Sequence, residues 1–514
     1  MQMFIPSLPK HWKIEILKCK EVSWSSTVDQ YSSLNSVVLS DISGDVFLAE
    51  MFLQGLSKIE RVEIVGYKYP TSFWQIGVNS LEHIRSQRPS DLQFHLLMSF
   101  MEEERKELEQ GLACRLQYLA LRNCECLMKL QQLSNSLSFL RGISIEDCPK
   151  LVSIPETALP SELRFIVIKK CNALESLPMS WMHSSNTSLE ILSIQSCDSS
   201  AYVARVQLPP NLKKLEILYC SSLQTLVNEE EVALMHEENV DYLKNISFRQ
   251  SRGNLPETLK HLYILGCSKL ESMAESFYGN TSLETLKIEQ CKSLKVLPND
   301  LHNLSHLQQF SISNCLSLVP YPEWRLPSVN LKTLGIEYCE KLDTLPSSMN
   351  NLTSLQSLSI RNCPGVLSFP EDCFPTNLTS LSIGDANVCK AFFDWGLHKL
   401  TSLKELYIWK GCPDVISFPQ EEIGMMLPTC LTTLHIVNFP NLERLSISIQ
   451  NLTSLEGLHI YHCPKLKFFP ENGLPPSLLR LHIYGCPLLR QSCETDKGLY
   501  WPMIALVPSV AIFP

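Results

Sequence analysis

No glycine in this chain of 514 residues is followed by lysine. A phosphate-binding loop of the form G-x-x-x-x-G-K-[ST], whose backbone amides cradle phosphate, is therefore excluded. Neither G-x-S-x-G nor H-E-x-x-H occurs, which removes two common hydrolytic arrangements. Glycine itself is scarce, 19 residues against 31 prolines. Positive charge is in deficit: 44 Lys and Arg stand against 53 Asp and Glu, a net charge of −9. Surfaces that bind nucleic acid are usually basic, so that partner is not expected. No apolar run approaches the roughly 20 residues of a membrane span. Charged residues make up only 19% and apolar ones 45%, so the chain has enough apolar surface to fold and too little charge for disorder. The opening MQMFIPSLPKHWKIEILKCK has no basic region leading into a long apolar stretch and a cleavage site, so no secretory route is expected.

A single compact domain rarely runs this long, which points to several domains or to a repeat array. The repeat is there. Leu331, Leu334, Ile336 and Cys339 form an L-x-x-L-x-I-x-x-C string that returns at Leu355, Leu358, Ile360 and Cys363. It is also present at Leu283, Leu286, Ile288 and Cys291, and with Phe310 inside it at Leu307, Ile312 and Cys315. Other copies end at Cys124, Cys148, Cys171, Cys197, Cys220, Cys267, Cys463 and Cys486. Ala386 and Phe439 end copies that lack the cysteine, and Cys412 arrives one residue late, as if Gly411 were a bulge. Weaker copies end at Cys19, Ile42 and Tyr67.

Leu-x-Ile alternates with period 2, so each string is a short strand with one apolar face. One coil cannot bury that face; stacked coils bury it together as a continuous core under a parallel sheet. Proline recurs seven residues after the cysteine, at positions 155, 178, 298, 322, 346, 370, 419 and 470, where it ends the ladder and starts the outer segment. The outer segments leave room for a helical turn or two. The reading is an α/β solenoid, a leucine-rich-repeat horseshoe of about 18 coils. Its concave face is a parallel β-sheet and its convex segments are short, irregular or helical. Residues 1–110 are expected to hold irregular N-terminal repeats with a charged insertion (79–112, helix-prone around Met101–Glu109). Regular repeats fill 111–490, degenerate at 221–256, where an acidic run and the coil remnant Leu243, Ile246 and Phe248 fall. Residues 491–514 are expected to cap the last coil through Trp501, Ile504, Leu506, Val510 and Ile512.

Fourteen of the 20 cysteines hold the ladder position. A small buried thiol bonding weakly to neighbouring backbone accounts for them. Coils stack about 4.8 Å apart, too far for the Cβ spacing of a disulfide, and no C-x-x-C pair suggests zinc. No metal and no cofactor are expected. A ladder of free thiols implies a reducing compartment, cytoplasmic or nuclear. Seven N-x-[ST] sequons, several inside the recurrent N-L-[ST]-x-L, are explained by the repeat itself.

Strand residues four and two positions before the ladder face away from the core. In the earlier coils these are mostly small or charged: Ala120, Arg122, Ser144, Glu146, Val167, Lys169, Lys287, Glu289, Ser359 and Arg361. Later they become Tyr407 and Trp409, His435 and Val437, His459 and Tyr461, His482 and Tyr484, with Lys410 and His462 beside them. Clustered exposed aromatics mark a binding hot spot, or they reflect the preference of aromatic residues for strand faces. The candidate ligand-binding residues are Tyr407, Trp409, Lys410, His435, His459, Tyr461, His462, His482 and Tyr484. The histidine column lacks the carboxylate or thiolate company of a metal site.

The L-x-x-L-x-I-x-x-C-P-x-L-x-x-F-P coil resembles the leucine-rich region of plant nucleotide-binding, leucine-rich-repeat disease-resistance proteins of the coiled-coil class. The stretch Val62–Trp74 is similar to an early coil of that family. Leu397–Leu403 and Gly424–Pro428 are similar to its late coils, and Cys486–Arg490 with Gly498–Ala505 to its C-terminal cap. The resemblance implies a non-enzymatic, protein-binding module for intracellular immune perception, whose ligand is a pathogen effector or a guarded host protein. It also implies a nucleotide-binding switch domain, which these residues do not contain and which would stand in cis in a longer product. The N-terminus lacks a recognisable cap, so a partner polypeptide packs there or the chain is a truncated member without independent function. A leucine-rich substrate adaptor for ubiquitin ligation is the remaining alternative, but no F-box-like helical module is present.

Overall fold

The structure is a computed structural model. It describes residues 12–17, 34–40, 60–66, 116–128, 139–154, 160–175, 177–178, 188–200, 202–204, 208–227, 255–273, 277, 282–319, 324–347, 349–366, 374–410, 414–420 and 425–514. Two compact units divide the chain, Met1–Asn280 and Thr281–Pro514.

In the first unit nine strands pair in parallel, each with the next: Trp12–Leu17, Leu34–Ser40, Arg61–Val65, Tyr118–Arg122, Gly142–Glu146, Phe165–Lys169, Ile191–Gln195, Lys214–Leu218 and His261–Leu265. The three weak N-terminal copies thus do form strands. In the second unit ten strands pair in the same way: Thr285–Glu289, Gln309–Ser313, Thr333–Glu337, Ser357–Arg361, Ser380–Gly384, Glu405–Trp409, Thr433–Val437, Gly457–Tyr461, Arg480–Tyr484 and Ser509–Phe513. Both units are parallel-sheet solenoids of leucine-rich repeats, as the periodicity predicts. The alternation decides the register: Leu334, Leu358 and Leu381 face one another, as do Ile336, Ile360 and Ile383, and each is at most 1% exposed. A slip of one residue would turn every one of them to solvent.

The cysteine ladder is as expected. All twelve described cysteines at the ladder position are free and buried. Each thiol sits against the carbonyl two residues back. Sγ lies 3.5 Å from Glu289 O at Cys291, 3.6 Å from Ser313 O at Cys315, and 3.4 Å from Glu337 O at Cys339. Burial pushes the Cys220 thiol up to about 11, which keeps it protonated and unreactive at neutral pH.

One recurrent feature escaped the sequence reading. The residue just before the ladder position adopts positive φ in coil after coil: Asn123, Asp147, Lys170, Ser196, Gln290, Asn314 and Asn362 all lie between 51° and 57°. This left-handed turn aims the residue's N–H at the next strand, as in Asp147 to Lys169 O at 2.9 Å and Asn314 to Glu337 O at 2.9 Å. The extra bond extends the ladder as the chain leaves the sheet. Asn, Asp and Gly suit the turn, and Gly266 and Gly485 occupy it in two coils.

The outer segments are mostly single 3-10 turns, Leu301–Asn303, Met349–Asn351, Leu397–Lys399 and Ile447–Asn451, in the N-L-[ST] stretches and their counterparts. The ten-residue helix Ala386–Trp395, here α1, is longer than expected. It starts where Ala386 replaces the cysteine and no proline follows. Its buried residues Val388, Cys389, Phe392 and Phe393 recur at helical spacing, and Phe392 stacks on Phe374 at 3.9 Å.

Of the residues expected to cover the last coil, Ile504 is buried and Leu506 is 84% exposed, while Val510 and Ile512 sit in the final strand of the sheet. The bulge at Gly411, the charged stretch 79–112, the acidic run and coil remnant of 229–248, and prolines 155, 322 and 370 lie outside the described residues.

Candidate functional site

Every coil spends most of its residues on the core, the turn and the outer segment. Only two or three strand positions per coil are free to vary, and they stand on the outward face of the sheet. Along most of that face, charged side chains answer one another. Arg122 bridges Glu63 at 2.5 Å and Glu146 at 3.2 Å, and Lys214 meets Glu216 at 2.7 Å. In the second unit Glu337 takes Arg361 Nη2 at 2.6 Å and accepts a hydrogen bond from Ser359 at 2.5 Å. Such pairs offer a partner little unsatisfied charge.

The last strands differ. The ladder sets Tyr407, His435, His459 and His482 side by side in one row, and Trp409, Val437, Tyr461 and Tyr484 in the next. In the first row the rings stack nearly parallel. Tyr407 and His435 have centroids 3.9 Å apart at 12°, and His435 and His459 are 4.3 Å apart at 7°. His482 closes the row edge-on, 4.7 Å from His459 at 82°. Tyr461 lies 6.3 Å from His459 and 6.4 Å from His435, which ties the two rows together.

Two imidazoles stacked this closely disfavour both being charged at once. Burial, followed by the His459 and His482 charges, lowers His435 to about 3. Burial, followed by His482 and Arg480, lowers His459 to about 4. At neutral pH His435 and His459 are therefore uncharged, and with Tyr407 they form a slab of polarizable rings. Parallel rings cannot turn their nitrogen lone pairs toward a single point. Among the described residues no group of three His, Cys, Asp or Glu side chains could hold a metal ion.

Trp409 is held from the neighbouring side. The Arg361 guanidinium sits over its ring, 5.0 Å from the centroid, while Glu337 anchors the same guanidinium. Gly384, opposite Trp409 in the ladder, allows this approach: a Cβ there would come 3.3 Å from Trp409 Cβ and 3.4 Å from Arg361 Cα. Sequence reading placed Arg361 on the outward face but missed its part in orienting the tryptophan, because that contact crosses two strands.

The structure brings seven of the nine predicted residues together on the sheet face: Tyr407, Trp409, His435, His459, Tyr461, His482 and Tyr484. Lys410 and His462 stand just beyond, on the left-handed turns that end their strands, with φ of 45° and 55°. His462 meets Tyr484 edge-on at 5.0 Å and lies over Gly485. Phe513, 56% exposed and paired with Tyr484, extends the second row; its alternating context SVAIF was the available signal.

No family model matches the chain. Over 104 residues, 20% of its length, it is 34% identical to a putative disease resistance protein of Arabidopsis thaliana, and the match spans 7% of that relative. Among solved structures it resembles a leucine-rich-repeat protein of Leptospira interrogans. That match covers 96% of this chain and 93% of the other at 14% identity, with a TM-score of 0.39. An internalin of Listeria monocytogenes is matched over 66% of this chain and 84% of that one at 14% identity, with a TM-score of 0.31. Among the described residues no helix is long and apolar enough to cross a membrane. By its own repeat and ladder geometry the chain is a leucine-rich-repeat solenoid, and over that stretch of 104 residues it is related in sequence to a plant disease-resistance protein.

Proposed function

We propose that the chain is the recognition part of an intracellular plant immune receptor, and that it binds a protein ligand through the outward face of its last strands. The ligand class is a pathogen effector or a host protein that such an effector alters. The observation that carries this reading is the neutral aromatic slab of Tyr407, His435 and His459, flanked by Trp409 and Tyr461. Aromatic side chains held rigid by stacking present large contact area at little entropic cost, which is the composition of interface hot spots. Elsewhere on the face several charges are satisfied by one another, as Arg122 is by Glu63 and Glu146 and Arg361 by Glu337. The free, buried ladder thiols suit a reducing compartment.

The test is proximity labelling in plant cells with the full chain, comparing wild type with Trp409→Ala/Tyr461→Ala and with the control Lys169→Ala. The reading expects a set of proteins captured by wild type and by the control and lost at least tenfold with the double variant. Equal capture by all three, with the double variant folded by circular dichroism, would refute the site.

A further inference from the structure

Among the described residues the strand Ser509–Phe513 is paired on one side only. Ser509–Phe513 lies parallel to Arg480–Tyr484, with Val510 opposite Leu481 and Ile512 opposite Ile483. Ser509 donates its N–H to Leu479 O at 3.0 Å. In a parallel ladder alternate residues bond to the same neighbour. Ser509, Ala511 and Phe513 therefore face the preceding strand, and Val510 and Ile512 turn their N–H and C=O groups to the other side. No further strand meets them among the described residues.

Their side chains are also less covered than those of the coil before. Leu481 and Ile483 fill the corresponding core positions at 0% exposure, whereas Val510 and Ile512 are only partly buried. Edge strands are commonly blunted by charge. Here residues 499–514 contain no charged side chain at all. Open hydrogen-bonding groups, partly covered core residues and missing charge coincide on one strand.

We propose that this edge joins two copies of the chain, their Ser509–Phe513 strands paired antiparallel about a two-fold axis through Ala511. The sequence of the strand is complementary to itself in that arrangement. Val510 exchanges both backbone bonds with Ile512 of the second copy, and Ile512 does the same with Val510, four bonds in all. Ala511 meets its own copy at the close, non-hydrogen-bonded pair, where the Cα atoms are about 4.5 Å apart. Opposed residues share a face, so Val510 and Ile512 of the two copies cover each other on the core side. Phe513 falls opposite Ser509. Pro508 and Pro514 bound the strand and supply no N–H, which limits the pairing to its five residues. An isologous contact of this kind closes after two copies and does not grow into a fibre.

Light scattering coupled to size exclusion tests this on the full chain, at tens of micromolar in reducing buffer. The expected mass is twice the 58.4 kDa of one chain. Ala511→Lys sets two like charges on the axis while leaving the core untouched; it should give a monomer with an unchanged circular-dichroism melt. Ala511→Cys should form a covalent dimer under mild oxidation, since a Cα separation of about 4.5 Å falls within the disulfide range. Wild type oxidised in parallel should not. A wild-type monomer at that concentration overturns the proposal. So does a dimer that Ala511→Lys leaves intact and Ala511→Cys fails to trap.

Discussion

Serine differs from cysteine by one atom, yet Cys315→Ser should destabilise this protein more than Cys315→Ala. Cys315 is 0% exposed, with Sγ 3.6 Å from Ser313 O and 4.0 Å from Ile288 O. Sulfur reaches both carbonyls because it is large. A hydroxyl oxygen is smaller and its bond to Cβ is shorter, so it stops farther from both, beyond the 2.7–2.8 Å at which O–H···O bonds normally form. Truncation to alanine loses the transfer energy of one buried group and leaves a small cavity, together about 1–2 kcal/mol. Serine loses much of the same packing and adds a buried, poorly satisfied hydroxyl, a further cost of about 1–3 kcal/mol. The assay is urea unfolding followed by far-ultraviolet circular dichroism, with hydrogen exchange at the strands Thr285–Glu289 and Thr333–Glu337. Exchange is needed because repeat arrays can open locally before they unfold as a whole. If serine equals or exceeds alanine in stability, the thiol acts as a hydrogen-bond donor more than as a filler of space, and the packing argument fails.

Other perturbations follow from the same geometry. Gly142→Ala should cost about 1–3 kcal/mol, because the Phe165 ring already occupies the space where a Cβ would go; pairing it with Phe165→Leu should recover most of the loss in a thermal melt. Lys170→Gly should stabilise by up to about 1 kcal/mol, since Lys170 is exposed and holds a left-handed turn that glycine adopts without strain. Gly266→Ala at the same turn should destabilise, because its Cβ would lie 2.5 Å from the Tyr219 ring; an unchanged melting temperature would contradict this. For His435 and His459 the folded state holds the pKa below the unfolded value near 6.5, so the unfolded chain binds more protons in acid. Stability is then full above about pH 6.5 and declines as pH falls toward 4. Allowing for screening at this partly exposed face, the pair should lose about 2 kcal/mol by pH 4.5. His435→Gln/His459→Gln should flatten that slope in melts run from pH 7.5 to 4.5.

The core and the cysteine ladder were legible because they repeat. A pattern such as Leu334, Ile336 and Cys339 returns unchanged 24 residues later at Leu358, Ile360 and Cys363, and burial follows from alternation alone. Ten further cysteines at the same ladder position left little room for any other fold. The left-handed turns were not legible, because Lys170, Gln290 and Tyr338 take that conformation without being the residues that prefer it. Their conformation is imposed by the next strand, whose carbonyl each of their N–H groups must reach. Helix α1 was missed for a related reason: at Ala386 the breaker that normally follows the strand is simply absent, and a missing signal is harder to read than a present one.

The face of the sheet was legible in one dimension only. Alternation told which residues point outward, and the repeat told which stand in a row, so Tyr407, His435, His459 and His482 could be listed together. Neither told how rings in that row meet. Parallel stacking of Tyr407, His435 and His459 against an edge-on His482 depends on ring rotations that no periodicity encodes. Trp409 depends on Arg361, two strands away, with Gly384 in between leaving the gap. A solenoid separates the two kinds of information. Positions that repeat hold the coils together, and positions that do not repeat are free to carry specificity. Tyr407, Trp409 and Tyr461 are exceptions to the small or charged pattern of the earlier coils. A chain that only needed to fold had no use for such exceptions in adjacent strands.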